Sequence, residues 1–480
     1  MILFNSIVER SIYPTKLKEA IIHPIHKSGS TNDPLNYRPV SVPISLNKII
    51  ERELYEQIEN HMTENDLSDI YQYGFKKERG CADLIAKIIA LTSKAVDNGK
   101  CVVLISLDLS KAFDMINHEI LIMKLRKMGF NNAAIKMMES YLEQRVQYVK
   151  INDTLSYAGT ITSGVPQGTN LGPLLFSIYV CDMKYLQTNS KIFKFADDTM
   201  LMFEFEKNED SVKNGCRMMR EDLQLLSSYY ANNHLKLNIA KSQAMVIGKI
   251  DKNVIQQALS EFGIDIKESL KYLGVQIDAD LKFSSFMQVT KTKLNQSVGV
   301  IAVLRKTLLV NPLKSFYFAH FQSHLIYAPF LLLRLQISEL QQLQRLQNRI
   351  IKLMFKLPYL TPTSELFTNH ATNILPIMGM IFYFVCLMVH KSLYAQHESL
   401  IKVQKLQSLR SSLLKMENSK LIIRSNDIEI IGPSIFNSLP AELREIQTPS
   451  IFKTRLKAFL LSISASLATN AQISSKSKII

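Results

Sequence analysis

Apolar and polar positions change period along this chain, and each change marks an element. Residues Cys101-Val102-Val103-Leu104-Ile105-Ser106-Leu107 form a nearly unbroken apolar run of strand length, the pattern of a buried central strand, and Asp108 stands at its end. Residues 192–205 place aromatic and β-compatible side chains on both sides of Asp197-Asp198, which predicts two short strands folded across a tight turn with both aspartates at its tip. Shorter strands are expected over 20–27, ending in Lys27, and over 271–275. Helices are expected over 46–61, 82–96, 117–128, 174–180, 212–230 and 340–354, several of them amphipathic with apolar residues three and four apart. Asn98-Gly99 and Gly129 read as stop signals, and Ser110 is the expected helix cap beyond Asp108.

The 480 residues, 47% of them hydrophobic, supply the cores of two or three domains. A formal net charge of +15 implies an acidic partner, and nucleic acid is the commonest one for a basic chain. Most of that charge lies in one stretch, 281–360, which holds eleven Lys and Arg against the single acid Glu339. A helical element there, with its basic residues mostly off the apolar stripe, is suited to lie along a duplex. Cys81, Cys101, Cys181, Cys216 and Cys386 are scattered without paired spacing, so neither a disulfide framework nor a zinc module is indicated, and the compartment is expected to be reducing. Met1-Ile2-Leu3-Phe4 is followed at once by Asn5, Glu9 and Arg10, so no secretory leader is expected. The sixteen uncharged residues 374–389 fall short of the roughly 20 that span a bilayer and include Pro376 and Gly379. A buried helix is expected there, and no stable membrane association.

Candidate chemistry starts from the paired aspartates. A bare Asp-Asp pair is most often a solvated turn; a third carboxylate upstream, Asp108 at a buried strand's end, changes the reading. Adjacent carboxylates disfavour each other's ionisation, and metal ions bridged by carboxylates supply the counter-charge in phosphoryl-transfer enzymes. Lys27 and Arg38 flank a polar loop containing Gly29, an arrangement able to clamp phosphate oxygens. Between the aspartates lies Ser163-Gly164-Val165-Pro166-Gln167-Gly168-Thr169-Asn170-Leu171-Gly172-Pro173-Leu174-Leu175-Phe176, whose glycines let backbone approach a ligand closely.

These motifs, in this order and at this spacing, resemble the reverse transcriptases of non-LTR (LINE-type, Jockey-like) retrotransposons, over roughly 12–460. The resemblance implies an α+β right-hand polymerase: fingers at 1–100, a palm with an antiparallel sheet at 101–280, a basic helical thumb at 281–360, and a mostly helical C-terminal region at 361–480. That last region is expected to be interrupted at 430–440 and to fray over 462–480. The implied activity is RNA-directed DNA synthesis with two Mg²⁺ ions, or Mn²⁺ in their place, held by Asp108, Asp197 and Asp198. RNA template, DNA primer and dNTP are the implied partners, and the nucleus or cytoplasm the implied location.

Residue by residue, the resemblance assigns Lys27 and Arg38 to the incoming triphosphate and Tyr73-Gly74-Phe75-Lys76-Lys77-Glu78-Arg79-Gly80 to the template strand. Phe113, expected at the start of the helix after Asp108, is assigned to the sugar, where an apolar ring leaves no room for a 2′-hydroxyl. Gln167 and Gly168 are assigned to the template and nucleotide, Lys241 to the leaving pyrophosphate, and Tyr272 and Gly274 to the primer end. Arg345, Arg349 and Lys352 are assigned to nucleic acid in the thumb. Trp is absent, and Leu17, Tyr229 and Phe436 stand where the family usually carries it, keeping apolar bulk. The family's upstream endonuclease is expected to be missing. The alternative reading, a catalytically idle nucleic-acid-binding remnant, is disfavoured because Asp108, Asp197, Asp198, Gln167, Lys27 and Arg38 all stand.

Overall fold

The computed structural model describes residues 2–27, 29–77, 79–371, 373–394, 413–414 and 427–469. At its centre is a five-stranded sheet in the order Asp265–Ile266, Gln243–Ile247, Cys101–Leu107, Asp198–Phe205, Lys191–Phe195. All neighbours are antiparallel except the short first pair. Its central strand Cys101–Leu107 reads as a nearly continuous apolar run because each face of the sheet has its own core. Val102, Leu104, Met200, Met202, Met245 and Ile247 enter one cluster; Val103, Ile105, Leu201, Phe203, Ala244 and Val246 enter the other. Successive side chains alternate across a strand, so a sheet covered on both sides needs apolar residues at every position.

One cluster includes residues of the helices Ser45–Glu64, His118–Lys127, Asn132–Leu142, Leu171–Tyr179 and Glu209–Asn232. The other runs from the helix Cys81–Asp97 through Ser284–Leu304 and Ile337–Met354 to Ile377–Tyr394 and Pro449–Ser462 without a break at residue 360. Ile377–Tyr394 is, among the described residues, the one helix long and apolar enough to cross a membrane. Its Ile381, Phe382, Val385, Cys386 and Val389 are buried in this core.

Several local expectations differ from the structure. Ser110 caps no helix: Leu109–Ser110 is a short strand paired with Lys236–Leu237, and the next helix starts at His118 with the Asn117 side chain accepting from the Ile120 amide. Phe113 therefore sits in a turn over 111–115 rather than at a helix start. The sheet begun within residues 1–100 also takes strands from later in the chain. Glu19–His26 and Tyr37–Pro43 form a hairpin, and Arg145–Ile151 joins it in parallel from much later in the chain, bringing Gly159–Ile161 with it. The interruption expected at 430–440 is mostly a helix, Ile428–Asn437, with Pro433 inside it. Burial of Ile428, Ile431, Ile435 and Phe436 outweighs the hydrogen bond that proline cannot make. Helix Ser464–Thr469 occupies the start of the expected frayed tail, and 470–480 lie outside the described residues.

Candidate active site

The catalytic candidates meet through sheet register. Leu107 pairs with Thr199, so Asp108, one residue further, emerges alongside Asp198, the first residue of its strand. Phe195 pairs with Asp198, which makes the turn Ala196-Asp197, one residue earlier than the sequence suggested. Ala196 has φ +56°, a conformation that hairpin turns ordinarily give to glycine or asparagine. All three aspartates are half-buried.

Their electrostatics are those of crowded acids that burial raises more than nearby cations lower. Burial raises the Asp108 carboxyl, while Lys241, a hydrogen bond from Asn238 and Lys27 act against the rise. Asp197 is raised by burial and by Asp108, with its own backbone amide, Arg38 and Lys27 opposing. Asp198, raised by burial and then by Asp197 and Asp108, is pushed up to about 6. No ion pair to Lys, Arg or His neutralises any of the three among the described residues. Among those residues no three His, Cys, Asp or Glu side chains converge tightly enough, as they stand, to hold a metal ion. The donor set nevertheless fits a divalent cation chemically: hard carboxylate oxygens whose mutual repulsion a cation relieves.

Exposed cations surround this group. Lys27 follows the first strand of the fingers hairpin, its amide bonded to the Asn36 carbonyl at 2.8 Å, and Arg38 pairs with Ile25 in the second. Lys241 ends a short 3₁₀ turn, Ile239–Lys241. That turn is tied to the site because the Asn238 amide donates to the Asp108 carbonyl at 2.8 Å and the Ser242 hydroxyl accepts from the Asp108 amide at 3.3 Å.

Phe113, Gln167 and Gly168 form one connected patch. The Phe113 ring is half-buried, stacked on Phe176 at 4.8 Å between centroids and meeting Phe75 edge-on at 6.2 Å. The Val165 amide donates to the Phe113 carbonyl at 2.9 Å, and a Cβ on Gly164 (φ +83°) would lie 2.7 Å from the Asp114 Cα. Gln167 donates through Nε2 to Asp114 Oδ1 at 2.9 Å, and its carbonyl accepts from the Ser41 amide of the fingers at 2.7 Å. Gly168 (φ +103°) abuts the same strand, where a Cβ would lie 2.8 Å from the Ser41 carbonyl oxygen. Beneath the loop, the buried Glu51 accepts from the Asn170 amide at 2.7 Å, from Asn47 at 2.8 Å and from the Tyr141 hydroxyl at 2.8 Å.

The family model for reverse transcriptase (RNA-dependent DNA polymerase) matches residues 25–277, which contain all of these groups. The chain belongs to the reverse transcriptase family. It is 26% identical over 376 residues, 75% of this chain and 40% of the relative, to a probable RNA-directed DNA polymerase from transposon BS of Drosophila melanogaster. It is 27% identical over 389 residues, 76% of this chain and 40% of the relative, to the RNA-directed DNA polymerase from mobile element jockey of the same organism. Both relatives are named as polymerases of Drosophila mobile elements. The chain spans about two fifths of the length of these curated relatives. Among solved structures it is similar to apo telomerase from Candida tropicalis, at 14% identity and a TM-score of 0.41 over 73% of this chain and 61% of that one.

The other expected nucleic-acid residues divide. Gly274 (φ +77°) is at the tip of the hairpin Ser269–Tyr272 and Val275–Asp278, 3.2 Å from the Tyr327 hydroxyl as measured to a Cβ built there. Tyr272 is only 2% exposed, so its ring does not present itself to a primer. Among the described residues its buried hydroxyl has no hydrogen-bond partner, and burial together with Asp198 raises it well above the ordinary tyrosine value. Arg345 and Arg349 are exposed and Lys352 half-buried, and the three line an open groove with Arg305, Tyr359 and Leu360. Arg334, counted in the basic segment, is withdrawn: it is buried in an ion pair with Asp427 and donates to Ser93 Oγ at 2.7 Å. Sequence reasoning missed Asn238, Asp114, Glu51 and Gln72 as members of the site. Asp114, Asn238 and Gln72 carried a signal only through adjacency to motifs already singled out, and Glu51 carried none.

Proposed function

We propose that this chain is an RNA-directed DNA polymerase that extends the 3′-hydroxyl of a DNA primer with dNTPs on an RNA template. The observation that carries the reading is the gathering of three unneutralised carboxylates, Asp108, Asp197 and Asp198, within electrostatic reach of Lys27, Arg38 and Lys241. Those carboxylates would hold two divalent ions, Mg²⁺ or Mn²⁺, which when bound stabilise the attacking and leaving oxygens of the transfer. Arg38 and Lys27 hold the triphosphate, the first as a fork and the second as a point charge. Lys241, on the turn tied to the Asp108 backbone, stabilises negative charge on the departing pyrophosphate.

Phe113, backed by Phe176, forms an apolar wall against the sugar, and a 2′-hydroxyl pressed against it loses its hydrogen bonds. Gln167, oriented by Asp114, contacts the nucleotide or template from the loop side. The groove of Arg305, Arg345, Arg349 and Lys352 neutralises phosphates without reading sequence, and the Tyr359 ring, 86% exposed, offers a base a stacking surface. Primer extension on an RNA template with Mg²⁺ tests the reading: the expected result is a DNA product in the wild type and none for Asp198→Asn. Absence of extension by the folded wild-type chain at any Mg²⁺ or Mn²⁺ concentration would favour a nucleic-acid-binding remnant instead.

A further inference from the structure

The turn that carries Asp197 and Asp198 is held from outside by a side chain of the fingers. Residues 71–73 run beside Lys191–Phe195: Gln72 forms a parallel bridge to Lys194, the Tyr73 amide donates to the Lys194 carbonyl at 2.8 Å, and the Lys194 amide donates to the Tyr71 carbonyl at 2.9 Å. A buried ion pair between Lys194 and Asp69 anchors the same segment. From there the Gln72 carboxamide, in a side chain 1% exposed, reaches Ala196 with both ends. Its Nε2 donates to the Ala196 carbonyl at 3.1 Å, and its Oε1 accepts from the Ala196 amide at 2.8 Å and from the Gly74 amide at 2.8 Å.

Ala196 is the residue at φ +56°, immediately before Asp197. A side-chain-bearing residue persists in that conformation only where its surroundings over-determine it. Here two backbone groups of one residue are satisfied by one flat amide, the same pattern a neighbouring strand would supply. Gly74 adds a steric limit, because a Cβ there would lie 2.3 Å from the Ala196 nitrogen.

We propose that Gln72 is a positioning residue that sets the backbone of the carboxylate turn for divalent-cation binding, with Gly74 allowing the close approach this needs. The catalytic arm rests on the polymerase reading above; the metal arm does not. Gln72→Met keeps the bulk and removes every bond, whereas Gln72→Asn keeps the amide but is a methylene too short to hold Ala196 at both ends. Gly74→Ala disturbs the same contact from the other side. Mn²⁺ alone, followed by electron paramagnetic resonance of the free ion, should bind all three variants about tenfold or more weakly, the range for groups that orient metal ligands. In primer extension the Mg²⁺ requirement should rise and kcat fall at low Mg²⁺, while the KM for dNTP stays within about twofold, a loss confined to the metal-dependent step.

Variants that match wild type by circular dichroism yet bind Mn²⁺ and respond to Mg²⁺ as the wild type does would overturn the proposal and leave Gln72 as packing. If Gln72→Met does not fold, Gln72→Asn and Gly74→Ala decide the question. A wild type that binds Mn²⁺ but extends no primer would overturn the polymerase reading alone, and the Mn²⁺ affinities of the variants would still decide the role of Gln72.

Discussion

Replacing Asp198 by asparagine should make the protein more stable while abolishing its chemistry, and the size of the gain should depend on pH. In the fold the Asp198 carboxyl is pushed up to about 6, from an ordinary 3.8, by burial and by Asp197 and Asp108. Between those two values the folded chain binds more protons than the unfolded one, so stability falls as pH rises. The contribution of this group is therefore fully present below pH 3.8 and lost as pH rises through about 6. One pH unit is worth 1.36 kcal/mol, which sets a ceiling of about 3 kcal/mol on the cost of ionised Asp198. The side chain keeps some solvent access, and screening brings the expected figure to about 1–2 kcal/mol. Asp108 and Asp197 are raised as well, so the titration belongs to the group rather than to one residue. Thermal or urea unfolding of wild type and Asp198→Asn, without divalent ions, from pH 4 to 8 measures this. The variant should have its smallest advantage at pH 4, gain progressively from there to about pH 6, and hold that gain at higher pH. A variant equal to or less stable than wild type at pH 7.5 would refute the picture of three crowded acids held together by the fold.

Further predictions concern the sugar wall, the thumb groove and the buried ion pair. Phe113→Ala should lower dNTP over rNTP selectivity by about a hundredfold or less, since losing the penalty on a buried hydroxyl is worth about 1–3 kcal/mol; an unchanged ratio of incorporation efficiencies on one template would mean that Phe113 only packs on Phe176. Binding of nucleic acid should weaken steeply with salt, and Arg345→Gln or Arg349→Gln should each reduce the slope of log affinity against log salt by about one. Anisotropy that does not change between 50 and 200 mM salt, a test range in which phosphate-driven binding falls by about 10³-fold or more, would rule this out. Arg334→Met should destabilise the fold by about 3–5 kcal/mol because it leaves Asp427 buried and unpaired, and pairing it with Asp427→Leu should recover most of the loss. Equal unfolding midpoints for the single and double variants would show that the pair is not the source of the effect.

Local pattern alone determined a good deal of this protein. An unbroken apolar run forces a strand covered on two faces, and the two cores that flank Cys101–Leu107 are what that run required. Aromatic and β-branched residues around Asp197-Asp198 likewise determined a hairpin, and the Asp108 strand end belongs to the same order of inference. Tertiary structure alone decided the features in which a residue's conformation or charge depends on a partner far along the chain. Ala196, in a backbone conformation its own side chain disfavours, is satisfied by Gln72 from 124 residues earlier in the chain. Tyr272 is sealed off by the core, Arg334 is neutralised by Asp427, and Arg145–Ile151 completes the fingers sheet in parallel with Glu19–His26. Periodicity reports which face of an element is apolar; it carries no information on which distant face will cover it, and each of these outcomes turns on that pairing.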